Sequence, residues 1–364
     1  MYNTKKNKLA SKKNGRKNIS NPCFNHYPLV TQYSSAQDWL RIQANLCLAS
    51  NTIEAYGQAL NDYFYFCICS EIAPEIATKG NIAAYVRHLT ERHNPRRKNR
   101  QNGTNKGLAN ATIQQRLTVV RLYYEYLIEE GLCNKNPASK GRYTAKRGFG
   151  GQRSRNLIPH YKKLPWIPNE EQWQAILQAA QAEPLRNRLM LAFAYDGALR
   201  REEVCSLQIS DINPAEQLLH IRAEVAKNNR ERFVPYSEAT SKLFALYLPH
   251  RRQLSCSPGP LFLSESRRNR GQPISIWTWS KVVERIAERS HVCEFTTHTL
   301  RHLRLTDLAR DGWDLNFIAQ FAGHRNIQTT QVYIHLSGRE LANAFKHGMN
   351  TIHTRRIRMM EEAL

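Results

Sequence analysis

Gly323-His324-Arg325-Asn326-Ile327-Gln328-Thr329-Thr330-Gln331-Val332-Tyr333 closes a run of short, glycine-punctuated helical patterns that begins at His298-Thr299-Leu300-Arg301-His302. Apolar spacing predicts helices over Leu300–Arg310, ended by Gly312, and Leu315–Phe321, ended by Gly323, with a third over Thr329–His335. His298 and Arg301, three residues apart, share a helical face. His324 and Tyr333 lie nine residues apart, just past a glycine-ended helix. Working outward, helical pattern also covers Trp279–Arg289, Leu189–Tyr195 and Asn169–Ala182, where Trp173, Ile176, Leu177 and Ala180 share a face. Leu218–Arg222 and Arg232–Tyr236 have strand character and flank the polar turn Ala226–Arg230. The expected fold class is mainly α: here, a mostly helical domain with a small β-hairpin.

Upstream lies a second helical module. Residues 1–34 lack a helical period and read as a basic flexible arm, anchored by Phe24, Tyr27 and Leu29. Capping residues in Ser50–Tyr56 precede a stripe of Ile53, Tyr56, Leu60, Tyr63 and Phe64, and Asn81–Leu89 is a second amphipathic helix. Thr112–Glu130 is a third, with Ile113, Leu117, Val120, Tyr124 and Leu127 on one face and Gly131 as its stop. Arg92–Gly107 is a long loop. The expected boundaries are an arm over 1–34, a helical domain over 35–137, a basic linker over 138–167, a second domain over 168–350 and a tail over 351–364.

The 364 residues carry 53 Lys and Arg against 30 Asp and Glu, a net charge of +23. Residues 1–37, 92–124 and 131–169 hold seven, eight and nine of these cations and no carboxylate. The rest of the chain is close to neutral. Such segregation predicts a polyanionic partner and argues against a small-molecule enzyme with an acidic surface. The polar start has no apolar core of a secretory signal, and no run approaches the roughly 18 apolar residues of a spanning helix. The expected location is therefore cytoplasmic, nucleoid-associated, with no membrane partner. The cysteines at 23, 47, 67, 69, 133, 205, 256 and 293 are scattered through helical patterns. Cys67-x-Cys69 lacks zinc spacing, so buried free thiols are expected and no metal site.

Four signals carry chemistry: Arg200, three residues before Glu203; Lys227 in the hairpin turn; His298-x-x-Arg301; and Gly323-His324 through Tyr333. Singly, each has a plain structural reading, as a helix surface bridge, a solvated turn lysine, a common helix pair and a core tyrosine. In this chain order the set resembles the tyrosine recombinase, or phage integrase, family from about Ser35 to Asn350. The resemblance implies a helical, SAM-like core-binding domain followed by the catalytic domain, closed as a C-shaped clamp around double-stranded DNA. It implies catalytic Arg200, Lys227, His298, Arg301 and His324, with Tyr333 as nucleophile and Glu203 supporting Arg200. Arg200 is chosen over the adjacent Arg201 because it keeps the spacing to Glu203.

The chemistry is coherent without the family. A phenol attacking a phosphodiester yields a phosphotyrosine that conserves the bond for rejoining. Two guanidiniums match the non-bridging oxygens of the transition state. Lys227 is suited to protonate the departing 5′-oxygen, His298 to assist proton transfer at Tyr333, and His324 to donate to the phosphate. No carboxylate cluster for Mg²⁺ and no P-loop is present in the sequence, so no cofactor is expected. DNA contacts are expected from Arg97, Arg142, Lys146, Arg147, Arg153 and Arg155 to phosphates, and from Thr112, Gln114, Gln115 and Arg116 to bases. Arg201, Arg304 and Arg325 are further phosphate candidates. A C-terminal stripe of Leu341, Phe345 and Met349 resembles a helix that packs on a neighbouring protomer in relatives, which implies a homotetramer on two sites. The basic arm and linker favour the integrase or transposase of a mobile element. The alternatives are an architectural DNA-binding protein on the same fold, a dimer resolvase or a topoisomerase; a metal-dependent nuclease fits least.

Overall fold

The computed structural model describes residues 22–93, 107–139, 164–227 and 229–363. Arg97, Arg142, Lys146, Arg147, Arg153 and Arg155 lie outside them, as do residues 1–21 of the arm. The chain divides into two compact units, Met1–Lys162 and Lys163–Leu364, each with its own core.

In the first unit the helices are α1 (Ser34–Asn45), α2 (Ser50–Cys69), α3 (Lys79–Glu91) and α4 (Asn110–Glu129). The α2 stripe buries Ile53, Leu60, Tyr63 and Phe64, and α4 buries all five residues of its expected face. Aromatic rings dominate this core, and burial obliges their hydroxyls to find partners. The Tyr63 and Tyr124 hydroxyls lie 2.6 Å apart, and Tyr124 donates to the Pro74 carbonyl at 2.7 Å. The arm drawn through residue 34 ends earlier: Phe24–His26 and Pro28–Gln32 are 3₁₀ turns, with Tyr27 and Val30 fully buried. Gly57 is required there, because a Cβ would stand 2.6 Å from the Tyr27 ring.

The second unit holds α5 (Glu170–Gln181), α6 (Leu185–Asp196), α7 (Arg201–Cys205), β1 (Ile212–Asn213), β2 (Leu218–Ile221), β3 (Arg232–Pro235), α8 (Glu238–Leu254), α9 (Ile276–Arg289), α10 (Thr297–Arg310), α11 (Leu315–Ala322), α12 (Gln331–Ser337) and α13 (Arg339–Glu361). The strands form an antiparallel sheet in the order β1-β2-β3, with Leu219 opposite Val234 and His220 opposite Phe233. α10 runs through the core, burying Leu300, Arg301, Leu303, Leu305 and Leu308. α6, α11 and α12 pack around it.

Three expectations need correction. α8 was not anticipated; Ser237 caps it by accepting from the Thr240 backbone at 3.3 Å, and Pro249 interrupts its pattern. α13 continues through the boundary drawn at 350, with Phe345 and Met349 exposed and the side chain of Leu341 outside the description. Only Cys67 and Cys205 are buried; Cys23, Cys47, Cys69, Cys256 and Cys293 are exposed and Cys133 half-buried, all as free thiols.

Candidate active site

Arg200 stands in extended backbone at the start of α7, three residues before Glu203, whose side chain is 1% exposed. Glu203 accepts from the Arg200 backbone N–H at 2.8 Å and from its guanidinium at 2.9 Å. The carboxylate is shared with an arginine that the sequence reading passed over. Arg232, the first residue of β3, donates to Glu203 Oε1 and Oε2 at 3.1 and 2.8 Å and to the Phe321 carbonyl at 3.0 Å. Burial alone would raise the Glu203 carboxyl. The Arg232 hydrogen bonds and charge, joined by Arg200, outweigh it and hold the group at about 2.

Arg301 is 4% exposed and stitches two chain segments together. It donates to the Ala198 carbonyl at 2.6 Å and to the Ala322 carbonyl at 2.5 Å. Ala322 ends α11, and Gly323 follows at φ +63°, a left-handed cap that turns the chain toward His324. A third contact places an Arg301 nitrogen 3.0 Å from His324 Nε2. A guanidinium only donates, so Nε2 must present its lone pair and Nδ1 carries the proton, which goes to Thr330 Oγ1 at 2.8 Å. His324 is thus set as an acceptor in this state. The expected donation to a phosphate needs the opposite tautomer or an incoming oxygen that displaces the Arg301 contact.

Tyr333, on α12, is 3% exposed and lies parallel to the His324 ring at 6.2 Å. Burial raises its phenol, while the charges of Arg301 and Arg200 and hydrogen bonding from Arg301 oppose that rise. The hydroxyl lies 3.0 Å from His302 Nδ1, not beside His298 as expected. His298 sits one turn earlier on α10, edge-on to His302 at 6.1 Å. Desolvation and the surrounding cations lower His298, hold His302 at about 4 and hold His324 at about 3. Arg301 itself falls to about 10, through burial first and Arg200 second. His298, Arg301, His302 and His324 are all pushed toward the uncharged form. Three buried or half-buried guanidiniums face one carboxylate, and the surplus positive potential is that of an anion site.

The structure therefore brings Arg200, Glu203, Arg301, His324 and Tyr333 together, with His298 adjoining. Lys227 is exposed in the β2–β3 turn, next to Asn228, which is not among the described residues; its charge still bears on His298. Sequence reasoning missed Arg232, His302 and Thr330. The alternation of β3, with Arg232 and Val234 inward, was the available signal for the first. Of the other candidates, Gln115 is exposed and Thr112 half-buried at the start of α4. Arg116 turns instead to Asp62, which also takes hydrogen bonds from Arg92 at 2.6 Å and Tyr85 at 2.8 Å. Arg304 packs over the Tyr195 ring at 5.4 Å, Arg201 lies over Trp277 at 5.8 Å, and Arg325 is exposed.

Residues 168–340 match the phage integrase family. The chain is 26% identical over 332 residues to tyrosine recombinase XerD of Halalkalibacterium halodurans, covering 88% of this chain and 98% of the relative. It is 32% identical over 168 residues to transposase A from transposon Tn554 of Staphylococcus aureus, covering 44% and 46%. Among solved structures, the XerH site-specific recombinase bound to palindromic difH substrate aligns over 88% of this chain and 87% of that one, at 20% identity and a TM-score of 0.61. The Tn1549 transposon integrase in complex with circular intermediate DNA aligns over 85% and 94%, at 15% identity and a TM-score of 0.60. At these identities the structural likeness speaks for the fold.

Proposed function

We propose, proceeding from the membership of residues 168–340 in the phage integrase family, that this chain is a tyrosine recombinase that cuts and rejoins double-stranded DNA through a 3′-phosphotyrosine at Tyr333. The observation that carries the reading is a buried tyrosine hydroxyl set among three guanidiniums that share one carboxylate, Glu203, and held 3.0 Å from the His302 imidazole. That site is built to receive an anion and present a nucleophile to it. Arg200 and Arg301 hold the non-bridging oxygens of the scissile phosphate. Glu203 and Arg232 hold Arg200 in place. Lys227, on its exposed turn, protonates the leaving 5′-oxygen.

The test is to incubate the full chain with nicked duplexes selected by it from a randomised pool, then digest any covalent adduct and map it by mass spectrometry. Attachment at Tyr333 is expected, and attachment at any other residue, or no adduct, overturns the reading. The acid-free stretches supply a second expected result. Neutralising Lys146, Arg147, Arg153 and Arg155 together should weaken binding to every duplex and lower the magnitude of the salt slope by up to about 3.5. Loss of affinity for one sequence only would mean that these residues read bases.

For the biological role we favour the integrase or transposase of a mobile element, acting as a tetramer on two sites. The Tn554 similarity and the basic arm support this. The near full-length match to XerD supports a dimer resolvase as the second reading. Recovering bound genomic fragments separates the two: element ends favour the first, and one chromosomal locus without element boundaries favours the second. Among the described residues no helix is long and apolar enough to cross a membrane.

A further inference from the structure

The hydroxyl of Tyr333 must hand its proton to something when its oxygen attacks phosphorus. Its hydrogen-bond partner in the structure is His302 Nδ1, at 3.0 Å, with the two rings 5.8 Å apart and tilted by 36°. The direction of that bond follows from burial: Tyr333 is 3% exposed, and a buried O–H needs an acceptor for its hydrogen. The Arg301 guanidinium has only donors and is turned to the Ala198 and Ala322 carbonyls and to His324, so the unprotonated Nδ1 of His302 is the acceptor in place.

We propose that His302, rather than His298, is the general base that activates Tyr333. This rests on the reading of Tyr333 as nucleophile. In the forward step the Tyr333 oxygen bonds to phosphorus as the bond to the 5′-oxygen breaks. The phenolic proton passes to His302 Nδ1, and the 5′-oxygen takes a proton from Lys227. Rejoining runs the same transfers backward, with imidazolium at 302 returning its proton to the tyrosine as it leaves.

The surroundings suit that cycle. The charged and titratable groups facing His302 are His298 and Arg301 from its own helix and Tyr333 from α12. Together with desolvation, His298 and Arg301 hold the imidazole neutral and ready to accept. A phosphodiester bound at Arg200 and Arg301 brings a negative charge that offsets those cations. Its arrival therefore makes His302 more basic at the moment the proton is to move. His298, edge-on to His302 at 6.1 Å, is then left beside the phosphate rather than at the phenol.

Two measurements test this. The first needs no DNA: in histidine-¹⁵N-labelled full chain, assigned by comparison with His302→Gln, the His302 Nδ1 resonance should be that of an unprotonated ring nitrogen. A protonated Nδ1 overturns the proposal whatever the chain does to DNA. The second uses the selected nicked duplex described above. His302→Gln keeps a hydrogen-bonding group against the tyrosine but cannot accept a proton, and adduct formation at pH 7 should fall about 100-fold or more. Its rate should then climb about tenfold per pH unit as hydroxide takes over, whereas the native rate stays flat above neutral pH. An equal loss at all pH values, or a native rate in His302→Gln with a slow His298→Gln, assigns the base elsewhere. Absence of an adduct from the native chain defeats the nucleophile reading instead, and the ¹⁵N result is unaffected by it.

Discussion

A Tyr333→Phe chain is expected to fold, to bind DNA with an unchanged salt slope and to form no covalent adduct on any duplex. The ring is 3% exposed and belongs to the core of the second unit, so phenylalanine preserves its packing against the His302 and His324 rings. What is lost is one oxygen. The hydrogen bond to His302 Nδ1 goes with it, at a cost of about 1 kcal/mol, which leaves the domain folded. On the function proposed above, affinity comes mainly from phosphate contacts of the acid-free stretches and is expected to be independent of this atom. In the proposed reaction, chemistry depends on it entirely, because the phosphotyrosine bond is made by this oxygen. Denaturing gels and calorimetry on the two chains decide the matter. A persistent adduct would show that another residue attacks the phosphate, and a collapsed thermal transition would show that Tyr333 is chiefly structural.

The contrast between what was readable and what was not lies in the range of the interactions. α10, α11 and their glycine stops could be read because caps and periodicity are local properties of the chain. Arg200 and Glu203 were readable for the same reason, being three residues apart. Arg232 was not, since its partner Glu203 is 29 residues away and only the fold brings the strand against the helix start. His302 lies four residues after His298 and shares its face, as Arg301 does three residues on, and the two rings meet edge-on. What helical spacing does not carry is which of the two imidazoles meets Tyr333, 31 residues further along the chain. α10 is buried on several sides, with α11 and α12 both against it, so Arg301 and His302 reach the same cluster. Arg116 shows the converse: beside the exposed Gln115, its own side chain points to Asp62, and a basic residue at a helix start became part of an internal ion pair.

Replacing Glu203 by Gln should destabilise the second unit by about 3–5 kcal/mol, the usual cost of breaking a buried ion pair by removing one partner. The substitution keeps volume and shape. It removes the one negative charge shared by Arg200 and Arg232 and turns amide N–H groups toward guanidinium N–H groups. The displaced carboxyl gives a consistent figure, since a drop from 4.5 to about 2 corresponds to roughly 3 kcal/mol. Because the folded value lies below the unfolded one, this stabilisation is fully present above about pH 5. It is lost as pH falls toward 2. The native and Glu203→Gln chains should therefore differ in melting temperature by on the order of 6–12 °C at pH 7 and by clearly less at pH 3. A difference below about 1 kcal/mol, constant with pH, is what an exposed helix bridge would give. The same substitution tests how the site is held. Arg200 and Arg232 repel one another once the carboxylate is gone, so Arg200 loses its fixed position and adduct formation falls even at temperatures where the domain remains folded. If adduct formation survives at the native rate in the folded variant, Arg200 is placed by its backbone alone, and Glu203 serves stability rather than catalysis.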